Sequence, residues 1–159
     1  MSKYKRFILV CSFITILGFV SACGQNGEVT PTPTAPTTSG PQSAPLVIGD
    51  IEVKANTNYE VGFTVDVNMK DVKVVGNFRT FGGAPNVIQA YIMNDATYTA
   101  WLKGTSLPLV YDSGRMSIGF IDKEITAPGK YHFIFTNWSG PEVSPAQKVS
   151  ATINLTWVY

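Results

Sequence analysis

From residue 46 onward, apolar and polar side chains alternate with a period of two, the signature of strands that bury one face and wet the other. Tyr59, Val61, Phe63, Val65 and Val67 fall on one side of such a strand, with Glu60, Thr64 and Asp66 on the other. The final segment repeats the pattern: Val149, Ala151, Ile153, Leu155, Trp157 and Tyr159 alternate with Ser150, Thr152, Asn154 and Thr156, which places Trp157 in the core. Further strands are predicted over residues 47–53, 72–81, 86–93, 115–125 and 130–136. Gly82-Gly83-Ala84-Pro85, Ser113-Gly114 and Ala127-Pro128-Gly129 supply the backbone conformations that chain reversals require. The one helical segment is short, residues 94–102, with Asn94 or Asp95 as its cap. Many short strands without long intervening helices predict an all-β fold, a two-sheet antiparallel β-sandwich over residues 46–159. A small closed barrel is the alternative.

The pattern breaks down before residue 46. Residues 24–45 are rich in Gly, Thr, Pro and Ser, centred on Thr30-Pro31-Thr32-Pro33-Thr34-Ala35-Pro36, and cannot bury enough apolar surface to fold. They read as a disordered spacer, extended at about 3.1 Å per residue where proline sets the geometry. Ahead of it, Lys3, Lys5 and Arg6 precede an apolar run over residues 7–20 and then a stretch of small residues. This is the grammar of an export signal, and the run is shorter than the roughly 20 residues a bilayer-spanning helix needs.

Val20-Ser21-Ala22-Cys23 resembles the bacterial lipobox, in which a branched apolar residue and two small residues precede a cysteine. The cysteine supplies the thiolate to which a lipid can be joined. The resemblance implies lipidation of Cys23, cleavage after Ala22, and a mature chain beginning at Cys23. That chain would be held on the extracytoplasmic face of a membrane, at the cell surface or in the periplasm. An ordinary secretory signal beside a chance cysteine is the alternative. The expected organisation is a lipoprotein signal peptide (1–22), a lipidated cysteine with a Thr/Pro-rich linker (23–45) and the sandwich (46–159). Cys11 leaves with the signal, so the folded domain has no thiol for a disulfide, a metal or a nucleophile.

Charge narrows the classes of partner. Removing the three basic residues of the leader from the chain's 12 leaves nine against 11 acidic ones, a net charge of −2, which argues against a nucleic-acid partner.

Candidate chemistry is sparse. His132 is the only histidine and lies in a predicted strand between Tyr131 and Phe133, where a core or sheet-face role outweighs general-base work. Asp50 with Glu52, and Asp122 with Glu124, share strand faces, but no Asp-rich glycine loop suited to calcium is present. Neither a nucleophile elbow nor a histidine metal cluster occurs, so no enzyme, metal or cofactor is expected. Aromatics are the remaining signal: Tyr91, Tyr98, Trp101, Tyr111 and Trp138 fall near strand ends or turns. Trp138, in a polar loop over residues 137–146, is the leading ligand-binding candidate, with Trp101 and Tyr98 beside it. The expected role is a noncatalytic binding or scaffolding module for a protein or glycan. Alternatives are carbohydrate binding, envelope assembly and, last, hydrolysis.

Gly129-Lys130-Tyr131-His132-Phe133-Ile134-Phe135-Thr136-Asn137, followed by a polar loop and a last alternating strand, resembles the GOLD domain of secretory cargo receptors. Asn86-Val87-Ile88 and the segment from Ser113-Gly114 to Phe120 sit in the order that resemblance expects. It implies a GOLD-like or jelly-roll-like sandwich and at most a binding role.

Overall fold

The alternating segments become eight strands and one short helix in the computed structural model, which describes residues 40–82, 84–138 and 145–159. The expected signal peptide, Cys23 and most of the expected linker lie outside the described residues. In chain order the elements are β1 (Gln42–Val53), β2 (Asn58–Val65), β3 (Lys70–Phe81), β4 (Ile88–Asn94), α1 (Asp95–Leu102), β5 (Tyr111–Met116), β6 (Ile118–Glu124), β7 (Gly129–Thr136) and β8 (Gln147–Val158). One sheet runs β1-β8-β3-β6 and the other β2-β7-β4-β5. The pairings are nested and antiparallel: first strand with last, second with seventh, third with sixth, fourth with fifth. Two open sheets with this winding make a jelly-roll sandwich rather than a closed barrel.

Alternation explains the core. Val149, Ala151, Ile153 and Leu155 of β8 face Phe133 and Phe135 of β7, and all are buried. Phe135 packs edge-on against Phe78 of the opposite sheet at 5.1 Å and against Phe133 at 4.9 Å. Burying a ring of this size stabilises the fold by roughly 1.5–3 kcal/mol. At Gly76 in β3, φ is +155° and a side chain would run into the backbone of Thr152 and Ile153 in β8. The strands therefore reach their spacing only because this position has no Cβ.

Several local expectations change. Val67 is 77% exposed, because β2 ends at Val65 and the Asp66 carboxylate accepts the Asn68 backbone N–H at 2.9 Å, turning the chain before the alternation can continue. Trp157 is half-buried rather than central, at the end of β8 where its ring meets Tyr159 edge-on at 6.2 Å. β1 starts at Gln42, inside the segment expected as linker. Pro45 fits there because the register shifts between Pro45 and Val47 on an edge strand, where a missing N–H costs no ladder bond. The single strand expected over residues 115–125 is two, β5 and β6, which belong to different sheets. Ser113-Gly114 is not a reversal but a bulge inside β5, with Gly114 at φ +66° and Ser113 Oγ accepting the Ala90 N–H at 2.8 Å.

Candidate ligand-binding site

The outer face of the second sheet carries a second, smaller apolar layer. Met93 of β4 and Ile134 of β7 occupy outward positions yet are fully buried, because α1 packs across both strands. Asn94 starts that helix by accepting the Thr97 N–H at 2.8 Å, the cap expected from the sequence. Gly104, at φ +75°, ends it by donating its N–H to the Trp101 carbonyl at 3.0 Å. The helix thus holds Tyr98 and Trp101 above the sheet.

His132 pins the helix in place. Its Nδ1 lies 2.7 Å from Glu60 Oε1 of β2, its Nε2 lies 3.2 Å from Asp95 Oδ1 of α1, and Tyr98 stacks on its ring at 3.9 Å. Glu60 reaches it diagonally, since Gly62 is the residue directly opposite. The expected sheet-face histidine is therefore found on the outer face, and it does meet carboxylates. With both nitrogens engaged and one face covered, the ring joins β2, β7 and α1.

Aromatic rings continue outward from this pin. Tyr98 stacks on Trp101 at 6.1 Å, and Tyr91 of β4 meets Trp101 edge-on at 6.3 Å. Burial, then the nearby Glu60 carboxylate, raises the Tyr98 phenol above its ordinary value. Burial and then Asp112 do the same for Tyr91, partly opposed by Arg115. Both rings therefore stay neutral, with a hydroxyl able to donate, across the neutral pH range.

Trp101 forms a wall shared by two clefts. One, of about 360 Å³, lies toward Tyr91, Met93 and Leu107. The other, of about 460 Å³, is lined by Asn58, Trp101, Leu102, Gly104, Thr136 and Trp138. Trp138, 61% exposed, owes its position to its neighbour Asn137. That buried side chain donates to the carbonyls of Val53, Lys54 and Pro145 at 3.2, 3.3 and 2.8 Å. Arg115 of β5 then donates to the Trp138 carbonyl at 2.8 Å. No protein-family model and no curated protein sequence matches this chain.

Register adds a feature that composition does not reveal. Asn58 pairs with Thr136, Thr136 with Gln89, and Gln89 with Arg115, so four polar residues form one row across all four strands of this sheet. Thr136 is only 4% exposed, and its hydroxyl has no hydrogen-bond partner.

Of the residues singled out from sequence, Trp101 and Trp138 share a cleft, whereas Tyr98 supports Trp101 from behind, on His132. Tyr111 stands apart, packed against the sandwich core. Asn58 and Thr136 were not singled out; alternation marks both as outward-facing, and only strand register brings them together. Among the described residues, no group of three His, Cys, Asp or Glu side chains is placed to hold a metal ion, and no helix is long and apolar enough to cross a membrane.

Proposed function

We propose that this protein is a lipid-anchored, extracytoplasmic binding module without catalytic activity, which takes its ligand on the aromatic face of the second sheet. The observation that carries this reading is the convergence of Trp101 and Trp138, from different elements, on one cleft. Trp138 is exposed and Trp101 half-buried, and tryptophans flanking a concave surface are what recognition sites use, because each ring offers a large contact area at little entropic cost. The engagement of both His132 nitrogens supports the noncatalytic part of the reading.

Placement favours outward display. The spacer would enter at Gln42, opposite Trp157, whereas the cleft lies at the Val53 end, where Asn137 is anchored. Twelve residues of β1 separate these ends, about 40 Å at 3.3 Å per residue. The lipobox resemblance of Val20-Ser21-Ala22-Cys23 supports the membrane part of the reading, and more than one acyl chain would make a durable anchor.

Two measurements test the proposal. Mass spectrometry of the protein from its native membrane is expected to find a lipid-modified Cys23 at the amino terminus, with Cys23→Ala released from the membrane fraction. Capture from envelope extract is expected to be lost in Trp138→Ala at an unchanged melting temperature. An unmodified Cys23 with the leader still attached contradicts the anchor, and equal capture by both forms contradicts the binding face.

A further inference from the structure

Resting on the binding-module reading, we infer that the cleft between Trp101 and Trp138 takes a neutral oligosaccharide. Sugar rings carry apolar C–H faces and a rim of hydroxyls, so their sites combine exposed indoles with uncharged polar side chains. The cleft has that make-up: Trp101 and Trp138 supply the rings, and Asn58 and Thr136 supply polar groups of either hydrogen-bonding sense. None of its six lining residues is charged, which disfavours a phosphorylated or acidic ligand. Its volume of about 460 Å³ falls within the range of small-molecule sites.

Thr136 supplies the independent observation. Buried polar groups are normally paired, yet this hydroxyl is unpartnered in a residue that lines the cleft. A ligand hydroxyl at the cleft floor supplies the missing partner. The row that contains Thr136 gives direction as well as chemistry. Asn58, Thr136, Gln89 and Arg115 succeed one another across neighbouring strands, at about 4.8 Å per step, a spacing on the scale of one sugar ring. Asn58 and Thr136, the two members of that row that line the cleft, lie one step apart and set the direction in which a linear chain would run, across the strands, while the indoles hold its rings. A protein partner would make little use of such a row, since protein hot spots centre on desolvated apolar pockets.

The test uses the full-length protein in detergent micelles, titrated by calorimetry and tryptophan fluorescence with cellohexaose, mannohexaose, maltohexaose and chitohexaose. An oligogalacturonate of equal length serves as the charged comparison. At least one neutral hexasaccharide is expected to bind saturably, with Trp138→Ala weakening it tenfold or more. Thr136→Val, which keeps the shape and removes the hydroxyl, is expected to weaken it several-fold at a melting temperature that is unchanged or raised, since the lost hydroxyl is unpaired in the free protein. Phe120→Ala, on the other sheet, is expected to leave binding as it was. Absence of binding by all four neutral sugars overturns the inference, as does tighter binding of the oligogalacturonate or indifference to both cleft variants. If the sugars fail while envelope capture still depends on Trp138, the glycan is lost and the binding face stands; if both fail, the face is lost too.

Discussion

Replacing His132 by alanine removes three contacts at once and tests whether the ring is a structural pin. The ring itself is well covered, its side chain being 15% exposed, while Glu60 and Asp95 are 34% and 61% exposed. Screening limits the Asp95 contact to about 0.5 kcal/mol, and the shorter, better shielded Glu60 contact contributes about 1 kcal/mol. Stacking on Tyr98 adds about 1 kcal/mol. The expected loss is about 2–3 kcal/mol, which lowers the melting temperature of a domain of this size by roughly 8–12 °C. Urea unfolding of wild type and variant, followed by circular dichroism and by tryptophan fluorescence, measures it. A double-mutant cycle with Glu60→Gln is expected to return a coupling near 1 kcal/mol. A loss below about 0.5 kcal/mol, or lost ligand binding at full stability, would refute the pin and return His132 to the list of functional groups.

Other positions make equally sharp tests. Gly76→Ala is expected to cost about 3 kcal/mol or more, since both the positive φ and the Thr152 backbone oppose a Cβ; a change under 1 kcal/mol in urea unfolding contradicts this. Phe78→Ala is expected to cost about 3–5 kcal/mol, whereas Phe120→Ala, 78% exposed, stays within about 0.5 kcal/mol by the same assay. The phenols of Tyr91, Tyr98, Tyr111 and Tyr131 are all raised above the ordinary 10.0, with burial the leading cause at each. A group that holds its proton more tightly when folded contributes stability that is complete below its unfolded value and is lost as pH rises through the folded one. Melting temperature is therefore expected to fall above about pH 10, in step with tyrosinate absorbance, and a rise there contradicts the assignment.

Period-two patterning made the strands and the sheet class legible, because half-buried strands leave a direct mark on sequence. The capping residues Asn94 or Asp95 marked residues 94–102 as a short helix, and Asn94 is its cap. Patterning failed where local chemistry interrupts the period. Asp66 turns the chain and leaves Val67 in solvent, and a bend at Ser117 divides one apparent strand into β5 and β6. The tryptophans of the candidate site were visible as aromatics near strand ends or turns. The polar row was not, because Asn58, Gln89, Arg115 and Thr136 are neighbours only through strand register, which is set by pairings distant in sequence. His132 was legible as a sheet-face residue, but its bond to Asp95 depends on where α1 lands.

The most direct measurement follows the three indole N–H signals of ¹⁵N-labelled protein during ligand titration, since the chain has only three tryptophans. Trp101 and Trp138 line the cleft, whereas Trp157 sits at the far end of β8, about 33 Å from Gln147 by strand length. The signals of Trp101 and Trp138 are predicted to shift together and saturate while that of Trp157 stays fixed. A shift confined to Trp157, or three unmoved signals at saturating ligand, would contradict the account.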